Sequence, residues 1–119
     1  MKDSNSNPAV EKSKKFAIRI IRLRKYLVSR HREFTMSDQL LRCGTSIGAN
    51  VKEAIRGQSK ADFGAKMNIA LKEASETEYW LEILHEAGYI TKFQFDSIIN
   101  DCRELIRLLT AIVKSTFRK

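Results

Sequence analysis

Apolar residues in this chain recur at intervals of three and four along most of its length, the period of one helix face, and no stretch shows the two-residue alternation of a half-buried strand. The first such stretch opens at Asn7-Pro8, a capping residue followed by a proline suited to the first helical position, and runs to about Arg32 with Phe16, Ile20, Leu23 and Leu27 as its stripe. At 1.5 Å per residue it spans roughly 35 Å. A short link, Glu33 to Met36, carries Thr35 and Asp38 at capping-box spacing into a second helix. That helix ends near Gly57, which suits a left-handed C-terminal position. Ser59 and Asp62 repeat the capping spacing and open a third helix, with Phe63, Met67, Ala70, Ala74, Leu81 and Leu84 facing the core. Gly88 stops it, and Tyr89 and Ile90 fold back on its last turn. Thr91 and Gln94 open a fourth helix carrying Phe95, Ile98, Ile99, Cys102, Leu105, Ile106, Leu109, Ile112 and Val113. Long helices joined by short links predict an all-α fold: an antiparallel, up-and-down four-helix bundle over residues 8–119, behind a polar, disordered tail at residues 1–7.

The second helix holds the densest run of small residues, Gly44, Ser46, Gly48 and Ala49, beside an apolar face of Leu40, Ile47, Val51 and Ala54. Each interior glycine costs about 1 kcal/mol relative to alanine, so a helix that keeps two gains by letting another backbone approach closely. Asn50 and Glu53 lie three apart and share a face, placed for a polar contact within or between subunits.

The 119 residues suit one domain with a modest core. Only one Pro and five Gly are present, which agrees with an all-helical fold. The two cysteines, Cys43 and Cys102, lack metal-type spacing and read as buried, reduced thiols. No apolar run reaches the roughly 20 residues of a membrane span, and the N-terminus is not signal-like, so a cytoplasmic location is expected.

Charge sharpens this picture. The formal net charge of +8 favours an acidic partner such as nucleic acid, an anionic surface or an acidic protein. Residues 1–33 hold ten Lys/Arg against three Asp/Glu, whereas residues 58–90 hold three against six. On the first helix Lys12, Lys15, Arg19, Arg22, Tyr26 and Arg30 recur every three or four residues, and the fourth carries Arg103, Arg107, Lys114 and Arg118. Lying side by side, the two stripes would merge into one basic surface able to bind RNA or DNA with strong salt dependence and little sequence preference. Tyr26 would add an aromatic platform for bases. A solvated face that keeps the protein soluble is the plainer alternative.

On the third helix Ile69, Trp80 and Ile83 fall off the core stripe among Glu73 and Glu76. Aromatic residues are enriched at interfaces, so this ridge predicts self-association, with Glu73, Glu76 and Glu78 meeting Arg42 or Arg56 within the chain or from a neighbour. Alternatively Trp80 closes one edge of the monomer core. The broad apolar band of the fourth helix also favours a partner.

Little catalytic or metal chemistry is legible. Glu82 and His85 have the Glu-x-x-His spacing of di-iron bundles, but those need the motif twice and two further carboxylates. No phosphate-binding loop and no nucleophile–histidine arrangement is present, and no cofactor or metal is expected. Arg24 and His31 resemble the loose Arg-to-His spacing of HEPN-type ribonucleases, in which the arginine would hold a phosphate and the histidine move a proton. In so arginine-rich a chain the pair reads more simply as two surface residues, and the protein as a non-enzyme.

Three segments carry a family resemblance: Cys43-Gly-Thr-Ser-Ile-Gly-Ala-Asn-Val-Lys-Glu53, Ser59-Lys-Ala-Asp-Phe63 and Ile69-Ala-Leu-Lys-Glu-Ala-Ser-Glu-Thr-Glu-Tyr-Trp-Leu81. They resemble the bacterial four-helix bundle proteins encoded by intervening sequences of large-subunit ribosomal RNA genes, to which the accessory variability protein of diversity-generating retroelements is related. The resemblance covers residues 9 to 117. It implies a homopentameric ring with a basic surface for RNA or DNA, and no enzymatic activity. Where many members have Glu-Gly, this chain has Glu53-Ala54, implying that its second helix continues further. The expectation is therefore a non-catalytic, oligomeric nucleic-acid-binding accessory protein; an adaptor docking an acidic protein such as a polymerase is the alternative.

Overall fold

A computed structural model describes residues 7–118, which form four helices: α1 (Pro8–His31), α2 (Thr35–Ile55), α3 (Lys60–Glu86) and α4 (Lys92–Phe117). Of the tail expected at residues 1–7, residues 1–6 lie outside the described residues. Asn7 belongs to the fold: its side chain accepts a hydrogen bond from the Ala9 N–H at 2.9 Å and caps α1.

Local chemistry sets the other helix starts, in one case not as the spacing suggested. The Ser59 hydroxyl accepts from the Asp62 N–H at the start of α3. Thr91 and Gln94 close a full capping box on α4, each side chain accepting from the other's backbone N–H. The expected Thr35–Asp38 box on α2 does not form. Thr35 is already helical, its N-cap is Phe34 without a side-chain cap, and the Asp38 carboxylate binds Arg24 instead. Glu33 does the capping: its carboxylate accepts from the Met36 N–H at 3.1 Å and the Ser37 N–H at 2.7 Å. A carboxylate satisfying orphan donors at a helix N-terminus also complements the helix dipole.

The ends hold a second correction. Gly57 is not left-handed; among the described residues those with positive φ are Arg32 (51°) after α1 and Gly88 (88°) after α3. Helix α2 runs through Glu53 and Ala54 and ends at Ile55, with Arg56 as its C-cap. Gly88 does stop α3, and the Tyr89 N–H folds back onto the Leu84 carbonyl at 2.9 Å.

Helices pack in cyclic order α1–α2–α3–α4, with α4 returning to α1, in a body 46 × 25 × 22 Å. Interhelical ion pairs reveal the direction. From Lys12 to Arg19 along α1, the partner on α4 retreats from Glu104 to Asp101. From Arg42 to Glu53 along α2, the partner on α3 retreats from Glu73 and Glu76 to Lys66. Neighbours are antiparallel, as the links at 32–34, 56–59 and 87–91 require.

The core is built from Phe16, Ile20 and Leu27 of α1, Leu40, Ile47 and Val51 of α2, Met67, Leu81 and Leu84 of α3, and Leu105 and Leu109 of α4, all almost fully buried. Leu23, Phe63, Trp80, Phe95, Ile106, Ile112 and Val113 are half-buried against it, so much of the broad α4 band is covered within the monomer. Gly44 lets α1 and α2 close together: a Cβ there would lie 2.8 Å from Cγ1 and Cγ2 of Ile20. The buried hydroxyls of Ser13, Ser37 and Thr77 donate to carbonyls one turn back in the chain. Among the described residues no buried side-chain polar atom lacks a partner.

Candidate nucleic-acid interface

Helical periodicity places Lys12, Lys15, Arg19, Arg22 and Tyr26 along one edge of α1, and the fold sets that edge beside α4. The seam differs from a merged basic stripe. Lys12 pairs with Glu104, and Arg19 donates to Asp101 Oδ2, to the Ser97 hydroxyl at 2.7 Å and to the Ser97 carbonyl at 3.1 Å. Arg103 leans away from α1 and binds Glu78 of α3 at 3.0 Å. These three cations are therefore largely neutralised within the chain. The sequence reading missed the carboxylates of Asp101 and Glu104. Their spacing on α4, run antiparallel to Lys12 and Arg19, is a signal that could have found them.

Five candidates remain without a carboxylate partner among the described residues: Lys15, Arg22 and Arg30 on α1, and Arg107 and Lys114 on α4. Lys15 borders a hollow with Asp101 and Glu104. Arg22 and Tyr26 line a larger groove of about 370 Å³ with Arg19, Leu23, Phe93, Gln94, Ser97 and Ile98. Phe93 had not been singled out from the sequence, yet it is 85% exposed. The Tyr26 ring meets His31 edge-on at 5.5 Å, and His31 meets Tyr89 at 5.4 Å, joining the end of α1 to the α3–α4 link.

The expected interface ridge is only partly an outward surface. Arg42 binds both Glu73 and Glu76 of the same chain, and the Trp80 indole N–H donates to Glu76 at 3.1 Å. Arg42 holds the Glu76 carboxyl below the usual carboxylate range, and Glu76 and Glu73 in turn raise Arg42. Glu78 joins Arg103 and not Arg42 or Arg56, and Arg56 lies by the α2–α3 corner with Glu53, Asp62 and Lys66. Trp80 is half-buried against the core, Ile83 is half-buried, and Ile69 and Tyr79 are exposed. Asn50 does not meet Glu53; its amide donates to the Ser46 carbonyl and hydroxyl, while Glu53 pairs with Lys66.

The weaker chemical candidates disperse. Arg24 is held by Asp38, with its Nη2 2.7 Å from the carboxylate, while His31 sits between two tyrosines. His85 stacks on Phe95 at 4.4 Å. Burial pushes the Cys102 thiol up to about 12 and raises Cys43. Among the described residues no cluster of three or more His, Cys, Asp or Glu could hold a metal, and no helix is long and apolar enough to cross a membrane.

Comparisons with known proteins agree with the four-helix fold. No curated protein matches the chain significantly. A crystal structure of a protein of unknown function from the S23 ribosomal protein family of Bacteroides thetaiotaomicron VPI-5482 is similar, with 57% identity and a TM-score of 0.88 over 89% of this chain and 98% of that one. The profile of the 23S rRNA-intervening sequence proteins matches residues 5–111. With a four-helix fold and a family profile spanning most of its length, this chain belongs to the 23S rRNA-intervening sequence protein family.

Proposed function

We propose that this protein is a non-catalytic, self-associating accessory protein that binds nucleic acid through α1 and α4. One observation carries the reading. After the intrachain ion pairs are made, Lys15, Arg22, Arg30, Arg107 and Lys114 still point unpaired cations from two adjacent helices, on a chain of net charge +8. Unpaired cations along a helix edge attract a polyanion through its phosphates and release its counterions. Self-association would repeat this edge and multiply the field, and the exposed Ile18 and Ile21 of α1 and Ile69 and Tyr79 of α3 are apolar surface for such contacts. A homopentamer is the assembly that the family resemblance supports, and the cytoplasm is the location proposed for it.

Fluorescence anisotropy with labelled RNA and DNA, titrated in rising salt, tests the reading. Affinity should fall linearly on a log–log plot, and each of Arg22→Glu and Arg107→Glu should weaken binding and reduce the slope by about one. Undetectable binding of both polymers at low salt refutes it. Capture of an acidic protein that survives nuclease treatment would favour the adaptor role instead. Light scattering that finds only monomer at micromolar concentration refutes the assembly.

A further inference from the structure

The groove between the second half of α1 and the first turns of α4 differs from the rest of the cationic edge. Its floor is apolar, from Leu23 and Ile98, and two aromatic rings, Tyr26 and Phe93, stand beside it. Phe93 is 85% exposed, the most exposed large apolar side chain among the described residues, and no core packing accounts for it. Two polar groups retain hydrogen atoms to donate. The Gln94 side-chain oxygen is occupied by the Thr91 N–H, leaving its amide NH2, and the Ser97 Oγ accepts from Arg19, leaving its own O–H. Arg22 borders the groove without a carboxylate partner among the described residues, and Arg19 is anchored to Asp101.

We propose that this groove seats an unpaired base of a single-stranded nucleic acid, stacked on Phe93, with the neighbouring phosphate on Arg22. The inference rests on the nucleic-acid reading and adds strand selectivity to it. Charge complementarity selects a phosphodiester at the rim, and an aromatic face over an apolar floor selects a flat, π-rich occupant beside it. The Gln94 amide and the Ser97 hydroxyl line the same groove and are donors suited to the carbonyl oxygens and ring nitrogens of a base. A duplex keeps its base faces stacked and would offer the groove only phosphates. An acidic peptide would satisfy Arg22 and leave Phe93 in water.

The test compares three labelled probes of equal length by anisotropy: single-stranded oligo-dT, a duplex, and an abasic strand with the same phosphates. Oligo-dT should bind more tightly than the abasic strand. Phe93→Ala should lower oligo-dT affinity roughly five- to hundredfold, the loss of one stacked base, while leaving duplex affinity and the salt slope unchanged. Phe93→Trp should keep the preference, with its fluorescence quenched by oligo-dT and not by the abasic strand. Phe93 touches no core, so circular dichroism of Phe93→Ala should match the parent. Equal binding of oligo-dT and the abasic strand, unaltered by Phe93→Ala, overturns the base site while phosphate binding stands. Failure of all three probes at low salt overturns both readings. Binding of an acidic peptide that Phe93→Ala abolishes, with oligo-dT unaffected, overturns the base site in favour of a protein ligand.

Discussion

Gly44→Ala should destabilise the bundle by about 1–2 kcal/mol, although alanine is the better helix former. The added Cβ would lie 2.8 Å from both Cγ atoms of Ile20 and 3.2 Å from its Cβ. Carbon atoms in ordinary contact sit about 3.5–4.0 Å apart. Ile20 is fully buried and β-branched, with essentially one side-chain rotamer open to it in a helix, so relief requires α1 and α2 to separate. Overpacking costs about 1–3 kcal/mol, and a clash with two carbons of a rigid, buried side chain puts this site in the upper half, about 2–3 kcal/mol, against which helix propensity returns about 1 kcal/mol. At about 4 °C per kcal/mol for a domain of this size, the melting temperature should fall by roughly 4–8 °C. Gly48→Ala is the control: its Cβ would come no closer than 3.3 Å, to the Ser13 hydroxyl, so helix propensity prevails and stability holds or rises by a few tenths of a kcal/mol. Ile20→Ala alone should cost about 2–5 kcal/mol as a cavity. Combined with Gly44→Ala it removes the clash, so the double variant should exceed the additive expectation by at least about 1 kcal/mol. Chemical denaturation at one fixed protein concentration measures the cycle, since the proposed self-association would make stability depend on concentration. Stabilisation by Gly44→Ala to the same extent as by Gly48→Ala would refute the close approach of α1 and α2.

Glu33→Ala removes both acceptors at the start of α2 and should cost about 1–2 kcal/mol in denaturant midpoint; Glu33→Gln, which keeps one acceptor, should cost less, and equal stability of the Ala variant would remove Glu33 from the capping role. Because Arg42 depresses Glu76 in the folded state, the stabilisation is present above the ordinary carboxylate pKa of 4.5 and lost as pH falls through the lower folded value. Urea midpoints between pH 2 and 7 should therefore fall less steeply in acid for Glu76→Gln than for the parent, and parallel curves would contradict the pair. Burial and raised pKa values predict that Cys43 and Cys102 resist iodoacetamide at pH 8 until the protein is unfolded, when mass spectrometry should find both alkylated; rapid labelling of the native protein would refute their burial.

By itself the sequence determined the number of helices, their order and most of their core faces, because periodicity and caps at Asn7, Ser59 and Thr91 are local properties. It also carried the cue for close packing, in glycines kept where alanine would serve a lone helix better. Tertiary structure alone decided which charges remain available. Lys12, Arg19 and Arg103 look like equals of Lys15, Arg22 and Arg107 along the chain, and only the antiparallel register against Asp101, Glu104 and Glu78 takes them out of the free set. Glu33 reads as an ordinary surface acid until the α1–α2 corner aims it at two orphan N–H groups. Phe93 reads as one more apolar residue at a helix start, and only the position of α4 beside α1 leaves its ring over an open groove. Periodicity depends on neighbours along one helix, whereas ion pairing and exposure depend on which residues of a distant helix arrive opposite.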